Sequence, residues 1–253
     1  MVEMKKNNII TVVRLVIGIA LWFLSSFVFR TYFASAFPDA VAPVMSSMVV
    51  PYTVGLGLFL LATVGMPKSA PAKEEVPASL IAKAFAVQNG IAFPLMIVAN
   101  LICILILRMK PQGMGADELL GDKWWFYALL LLLFNPIFEE LLYRKLMMDR
   151  MCEFSFNAKV VCAAVLFAVP HVLSVGVPSM MFAFGMGLVW SWVYARTGKL
   201  WPAVLLHALG NVMGSYIPLM LSLIHPVCQV LFIMCTLGVC VPLTVVILTH
   251  YKK

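Results

Sequence analysis

Charge is what this sequence lacks. Of its 253 residues only 11% are charged while 63% are hydrophobic, and mean hydropathy is +1.00. A soluble globule of this length needs far more polar surface, so lipid must solvate the chain. The six cysteines sit mostly inside apolar runs, with no CxxC pair and no metal-ligand spacing, and read as small buried hydrophobes. Internal repeats, low-complexity tracts and lipidation signals are also missing, and the terminal Tyr251-Lys252-Lys253 is no prenylation box. The net charge of +7 is scattered over short loops rather than gathered in a patch, which speaks against nucleic acid.

Long apolar runs are what the chain does have. A membrane barrel would alternate over about ten residues, whereas Trp124 to Phe134 is unbroken, so the spans are helices. Apolar runs between polar breaks predict crossings near 9–29, 44–65, 79–107, 124–143, 158–175, 178–195, 200–222 and 226–249. The expected fold is therefore all-α, a polytopic transmembrane helix bundle of about eight spans. Two aqueous linkers stand out, Met66 to Ser79 with its three prolines and Arg108 to Lys123, and neither is long enough for a separate domain. The first span, preceded by Lys5 and Lys6, is longer than a usual signal core, so it is expected to be retained.

Loop charges orient the bundle. With the amino terminus in the cytoplasm, the inner loops hold Lys5, Lys6, Lys68, Lys73, Arg144, Lys145, Arg150, Lys159, Arg196, Lys199, Lys252 and Lys253. The outer loops hold Arg30, Arg108, Lys110 and Lys123. That asymmetry predicts both termini in the cytoplasm. Arg14 and Lys83, near span starts, are expected to snorkel to the interface, and His225 and His250, at span ends, to be interfacial.

An ionisable group inside a span costs about 2.5–3.5 kcal/mol near the bilayer centre, so each needs a partner or a function. Here such groups gather in three spans, as Glu139 and Glu140 with Arg144, as His171 one turn after Phe167, and as His207 one turn before the polar Asn211. Glu140 and Arg144 are four residues apart and can pair along their own helix. Adjacent helical residues point about 100° apart, which leaves Glu139 on another face, flanked by Asn135 and Tyr143. Glu140 and Arg144 are thus read as supporting and Glu139 as chemical. His207 and Asn211 share one helix face, as do Phe167 and His171, with Phe167 expected to line the cavity wall. Pro170, directly before His171, is expected to kink its helix and free a carbonyl at the site.

A carboxylate beside an imidazole in a poorly solvated cavity can share a proton with it and activate water. A second imidazole with a carboxamide supplies hydrogen-bond donors for a tetrahedral oxyanion. The set reads as amide hydrolysis without a covalent intermediate.

Three motifs in order, Glu-Glu-x-x-x-Arg (139–144), Phe-x-x-x-His (167–171) and His-x-x-x-Asn (207–211), resemble the CAAX protease and bacteriocin-processing family. That family includes the type II CAAX prenyl endopeptidases. The resemblance covers 124–222 and implies a catalytic core there, with N-terminal helices in 1–123 and a last helix and tail in 223–253. It implies a glutamate-dependent intramembrane protease in which Glu139 and His171 activate water and His207 and Asn211 form the oxyanion site. Glu140 and Arg144 match supporting residues, and Tyr194 to Leu200 resembles the family's turn before the last motif helix.

No cofactor is expected, although two histidines and a glutamate could instead ligate zinc in a metalloprotease. A non-enzymatic membrane scaffold or bacteriocin immunity protein is a further alternative. A proton-relay transporter would call for broken helices in corresponding halves and an internal repeat, and the sequence has neither. The expected partner is a membrane-associated peptide or protein substrate, and the expected location is a prokaryotic plasma membrane, with the site in its cytoplasmic half.

Overall fold

The computed structural model describes residues 2–71, 73–109 and 119–250. Lys110, Tyr251, Lys252 and Lys253 lie outside them. Among the described residues, eight helices are long and apolar enough to cross a membrane. They are α1 (Asn7–Tyr32), α2 (Ala42–Ala62), α3 (Ala78–Ile106), α4 (Trp124–Arg150), α5 (Phe156–Leu173), α6 (Val177–Thr197), α7 (Trp201–Ile224) and α8 (Pro226–His250). No strand occurs among the described residues. The all-α, eight-span expectation holds, and the chain is an integral membrane protein. Leu61, Ile106 and Ile224 stand 69%, 70% and 74% exposed, the kind of apolar surface that a bilayer covers.

The chain divides into two compact units, residues 1–70 with 145–155, and residues 71–144 with 156–253. In the first, Arg14 bonds the carbonyls of Ala62 and Val64 at 3.0 and 2.6 Å and so caps the end of α2, a closer engagement than simple snorkelling. In the second, α6 packs on α3 and α5, and α8 packs on α3. Gly185 makes the close approach of α6 to α3 possible, because a Cβ there would stand 2.7 Å from Ala92 Cα. Gly198 ends α6 in a left-handed conformation, φ 61°, with its N–H bonding the Tyr194 carbonyl at 2.9 Å. His225 and His250 are exposed at span ends, as expected.

One boundary differs from the sequence reading. The fourth span runs to Arg150 and not to about residue 143. Its charges travel with the helix because they are paired one turn apart, Glu140 with Arg144 at 2.9 Å and Lys145 with Asp149 at 2.9 Å. Arg144 is fully buried, so it does not belong among the loop cations.

Candidate active site

The second unit carries every residue of the three motifs. In α4 the two glutamates close a six-residue α-helical segment, Asn135–Glu140, set between wider π-helical turns at Leu130–Phe134 and Leu141–Met147. Pro136 at the start of that segment lacks an N–H, which leaves the Leu132 carbonyl without its usual i+4 donor. Wider turns of this kind often accompany functional positions in helices. Another π-helical turn, Val212–Tyr216, directly follows Asn211 in α7, while three more, Met45–Val49, Pro51–Gly55 and Ile102–Ile106, lie outside the motifs.

Pro170 interrupts α5 as expected. Regular helix stops at Ala168, and a short helix restarts at His171–Val175. The Phe167 carbonyl, which a continuous helix would give to the His171 N–H, instead lies 3.0 Å from His171 Nδ1. With Nδ1–H as donor to that carbonyl, Nε2 is the nitrogen left to exchange a proton.

His207 is the meeting point of the acidic residues. Its Nδ1 stands 3.0 Å from Glu140 Oε1, and its Nε2 stands 3.9 Å from Glu139 Oε2. Glu140 thus does two things, holding Arg144 through both oxygens, Oε2 at 2.9 Å and Oε1 at 3.4 Å, and His207 through Oε1. Helix geometry alone pairs Glu140 with Arg144 and does not connect it to His207. The ring explains the difference: its two nitrogens lie on different edges, so one imidazole can meet two carboxylates that diverge by about 100°. With Glu140 ionised against Arg144, Nδ1 is the donor and the imidazole is oriented with Nε2 toward Glu139. Glu139 therefore faces His207 at 3.9 Å, a pair that is ionic when the imidazole is protonated.

Phe167 is a hub and not only wall. It is 1% exposed. Its ring meets His171 (centroids 5.0 Å apart), stands edge-on to His207 (5.8 Å, 83°) and takes Tyr143 edge-on (5.2 Å, 89°). The Arg144 guanidinium lies 5.1 Å from its centroid. The two histidines thus flank one phenyl ring. Asn211 Nδ2 donates to the Leu131 carbonyl at 2.7 Å, which ties α7 to the π-helical turn of α4 and leaves one amide hydrogen available.

Sequence reasoning missed Trp190 and Gln88. Trp190 stacks on His207, with centroids 4.2 Å apart and planes 16° from parallel. Its Nε1–H donates to Gln88 Oε1 at 2.8 Å. A carboxamide in the middle of an apolar span was the available signal for Gln88, since intramembrane polar groups need partners. Trp190 had none, being an aromatic in an apolar helix. Among the described residues, no three His, Cys, Asp or Glu side chains converge as a ligand set for a metal ion.

Residues 121–213 match the family model for type II CAAX prenyl endopeptidase Rce1-like proteins, a stretch that includes all three motifs. No curated protein and no solved structure matches the chain.

Proposed function

We propose, from the match of residues 121–213 to the type II CAAX prenyl endopeptidase Rce1-like family, that the chain is an intramembrane endopeptidase. It hydrolyses a peptide bond of a membrane-associated peptide or protein with water activated by Glu139 and His171. The observation that carries this reading is the cluster in which Glu140 and Glu139 stand 3.0 and 3.9 Å from the two ring nitrogens of one histidine, His207.

In the proposed reaction Glu139, with His171 sharing the proton, removes a proton from water as the oxygen attacks the scissile carbonyl. A C–O bond forms and the carbonyl becomes an oxyanion. His207 and Asn211 donate to that oxyanion, His207 from Nε2 as an imidazolium whose Nδ1–H is held by Glu140. Before attack Glu139, Glu140, Arg144 and an imidazolium His207 sum to zero charge, and after it the proton gained by the Glu139–His171 pair offsets the oxyanion, so the total stays at zero, which suits a poorly solvated site. The C–N bond then breaks, and the proton taken from water passes to the departing amine. The net change is addition of water across one amide. Glu140 and Arg144 position His207, and no serine, cysteine or cofactor takes part.

The family description favours a CAAX-type substrate, and bacteriocin or signal-peptide processing, with or without self-immunity, is the wider class. The excess of loop lysine and arginine on one side supports a site opening toward the cytoplasm, and the short loops support a prokaryotic plasma membrane.

Comparative peptidomics of cells carrying wild type and Glu139→Gln tests the reading. Glutamine keeps the shape and removes the base, so one or more membrane-associated peptides should go unprocessed. If Glu139→Gln leaves both the peptides and the cellular phenotype unchanged, the chain is a scaffold or immunity protein. If chelators abolish processing and zinc restores it, the reaction is a metalloprotease's.

A further inference from the structure

Gln88 lies in α3, outside the segment that matches the family, and is fully buried. Both polar atoms of its carboxamide are engaged. Oε1 accepts the indole N–H of Trp190 at 2.8 Å, and Nε2 donates to the Leu206 carbonyl at 3.2 Å. Trp190 covers the imidazole of His207, and Leu206 is the residue that precedes it. One side chain therefore holds the ring that lies on His207 and the backbone that carries it.

We infer that Gln88 is a positioning residue for His207, locking its imidazole through Trp190 and the Leu206 carbonyl; this rests on the reading of His207 as part of a peptidase site. A histidine ring on a helix can otherwise turn about its last torsion, which is broad. Glu140 fixes one edge through Nδ1, but a single hydrogen bond leaves the ring free to tilt about it. The stack of Trp190 removes that tilt, and the edge of Phe167 closes the remaining side. Site groups must be held within roughly 10–20° for productive geometry, so this restraint has catalytic consequence.

Two glycines bear on the same device. A Cβ on Gly210, one turn past His207, would lie 3.2 Å from Trp190 Cζ2. A Cβ on Gly187, one turn before Trp190, would lie 3.2 Å from Phe167 Cδ1. Each bare backbone makes room for a ring that braces the imidazole. The carboxamide suits the span as well, because a polar group buried there is costly unless both its donor and acceptor are satisfied.

The test uses the full chain in lipid nanodiscs, labelled with 15N at histidine. The sequence has only four histidines, and a His207→Gln sample assigns the His207 ring signals. The expected wild-type signature is one sharp Nδ1–H resonance that exchanges slowly with water. Gln88→Met keeps volume and loses both hydrogen bonds, and Trp190→Phe keeps an aromatic ring and loses the N–H. Both should broaden the resonance and speed its exchange, and both should lower processing of the Glu139-dependent peptides about three- to tenfold. The double variant should lose less than the two single losses combined, because both remove the Trp190–Gln88 bond. Trp190→Phe alone decides the matter if Gln88→Met does not fold. An unchanged His207 resonance, or full processing despite a mobile ring, overturns the inference. Retained processing in Glu139→Gln instead overturns the peptidase reading and this inference with it.

Discussion

Glu140 Oε1 stands 3.0 Å from His207 Nδ1 while the same carboxylate holds Arg144 at 2.9 Å, so the second glutamate of the adjacent pair connects a buried cation to a site histidine. Both Glu140 and Arg144 are fully buried. Removing Glu140 strands the Arg144 charge in a medium that cannot solvate it, whereas removing Arg144 still leaves Glu140 with His207.

Glu140→Leu should therefore destabilise the protein by about 3–5 kcal/mol, the usual cost of leaving a buried ion without its partner. Glu140→Leu combined with Arg144→Met should recover most of that loss. Thermal unfolding in detergent measures both. Processing should remain absent in the double variant, because His207 has lost the acceptor that orients it.

Asn211→Leu removes the bond to the Leu131 carbonyl together with the amide proposed for the oxyanion. Loss of one such donor costs on the order of 10²–10³ in rate. Product formation should fall by that much, with peptide binding nearly unchanged, as measured by the separate effects on kcat and KM. A variant equal to wild type would leave Asn211 a purely structural tie between α7 and α4.

Gly210→Ala places a Cβ 3.2 Å from Trp190, whereas a Cβ at Gly238 in α8 meets nothing within 4 Å. Gly238→Ala should be neutral or stabilising by about 0.5–1 kcal/mol, from helix propensity. Gly210→Ala should gain less or lose stability, and it should also reduce processing by shifting the Trp190 stack. Melting temperatures and product yield for the pair separate helix propensity from packing.

Pro170→Ala should allow α5 to continue through His171 and return the Phe167 carbonyl to the backbone N–H of residue 171. His171 Nδ1 would then lose its 3.0 Å acceptor. Processing should fall at least about tenfold while the protein stays folded, since alanine is the better helix former. Undiminished cleavage would show that the break in α5 does not matter to the site.

Much of this was readable along the chain. The eight spans follow from apolar runs, and most of their ends fall within a few residues of the predicted ones, because a bilayer admits only long helices or closed barrels. The exception, the end of α4, came from reading Arg144, Lys145 and Arg150 as loop charges. Local pairing with Glu140 and Asp149 allows two of them to stay on the helix. The Pro170 break was legible because proline acts on its own backbone. The Glu140–Arg144 pair was legible because its members are one turn apart.

The sequence by itself determined the solvent, the helical class, the spans and the identity of the polar residues, because these depend on composition and on spacings within a single helix. Only the tertiary structure decided that His207 sits between both glutamates, that Phe167 separates it from His171, and that Gln88 and Trp190 brace it. Those relations join residues as much as 118 positions apart, Gln88 to Leu206. They depend on how helices rotate and approach one another, which side-chain packing settles and no periodicity along the chain encodes.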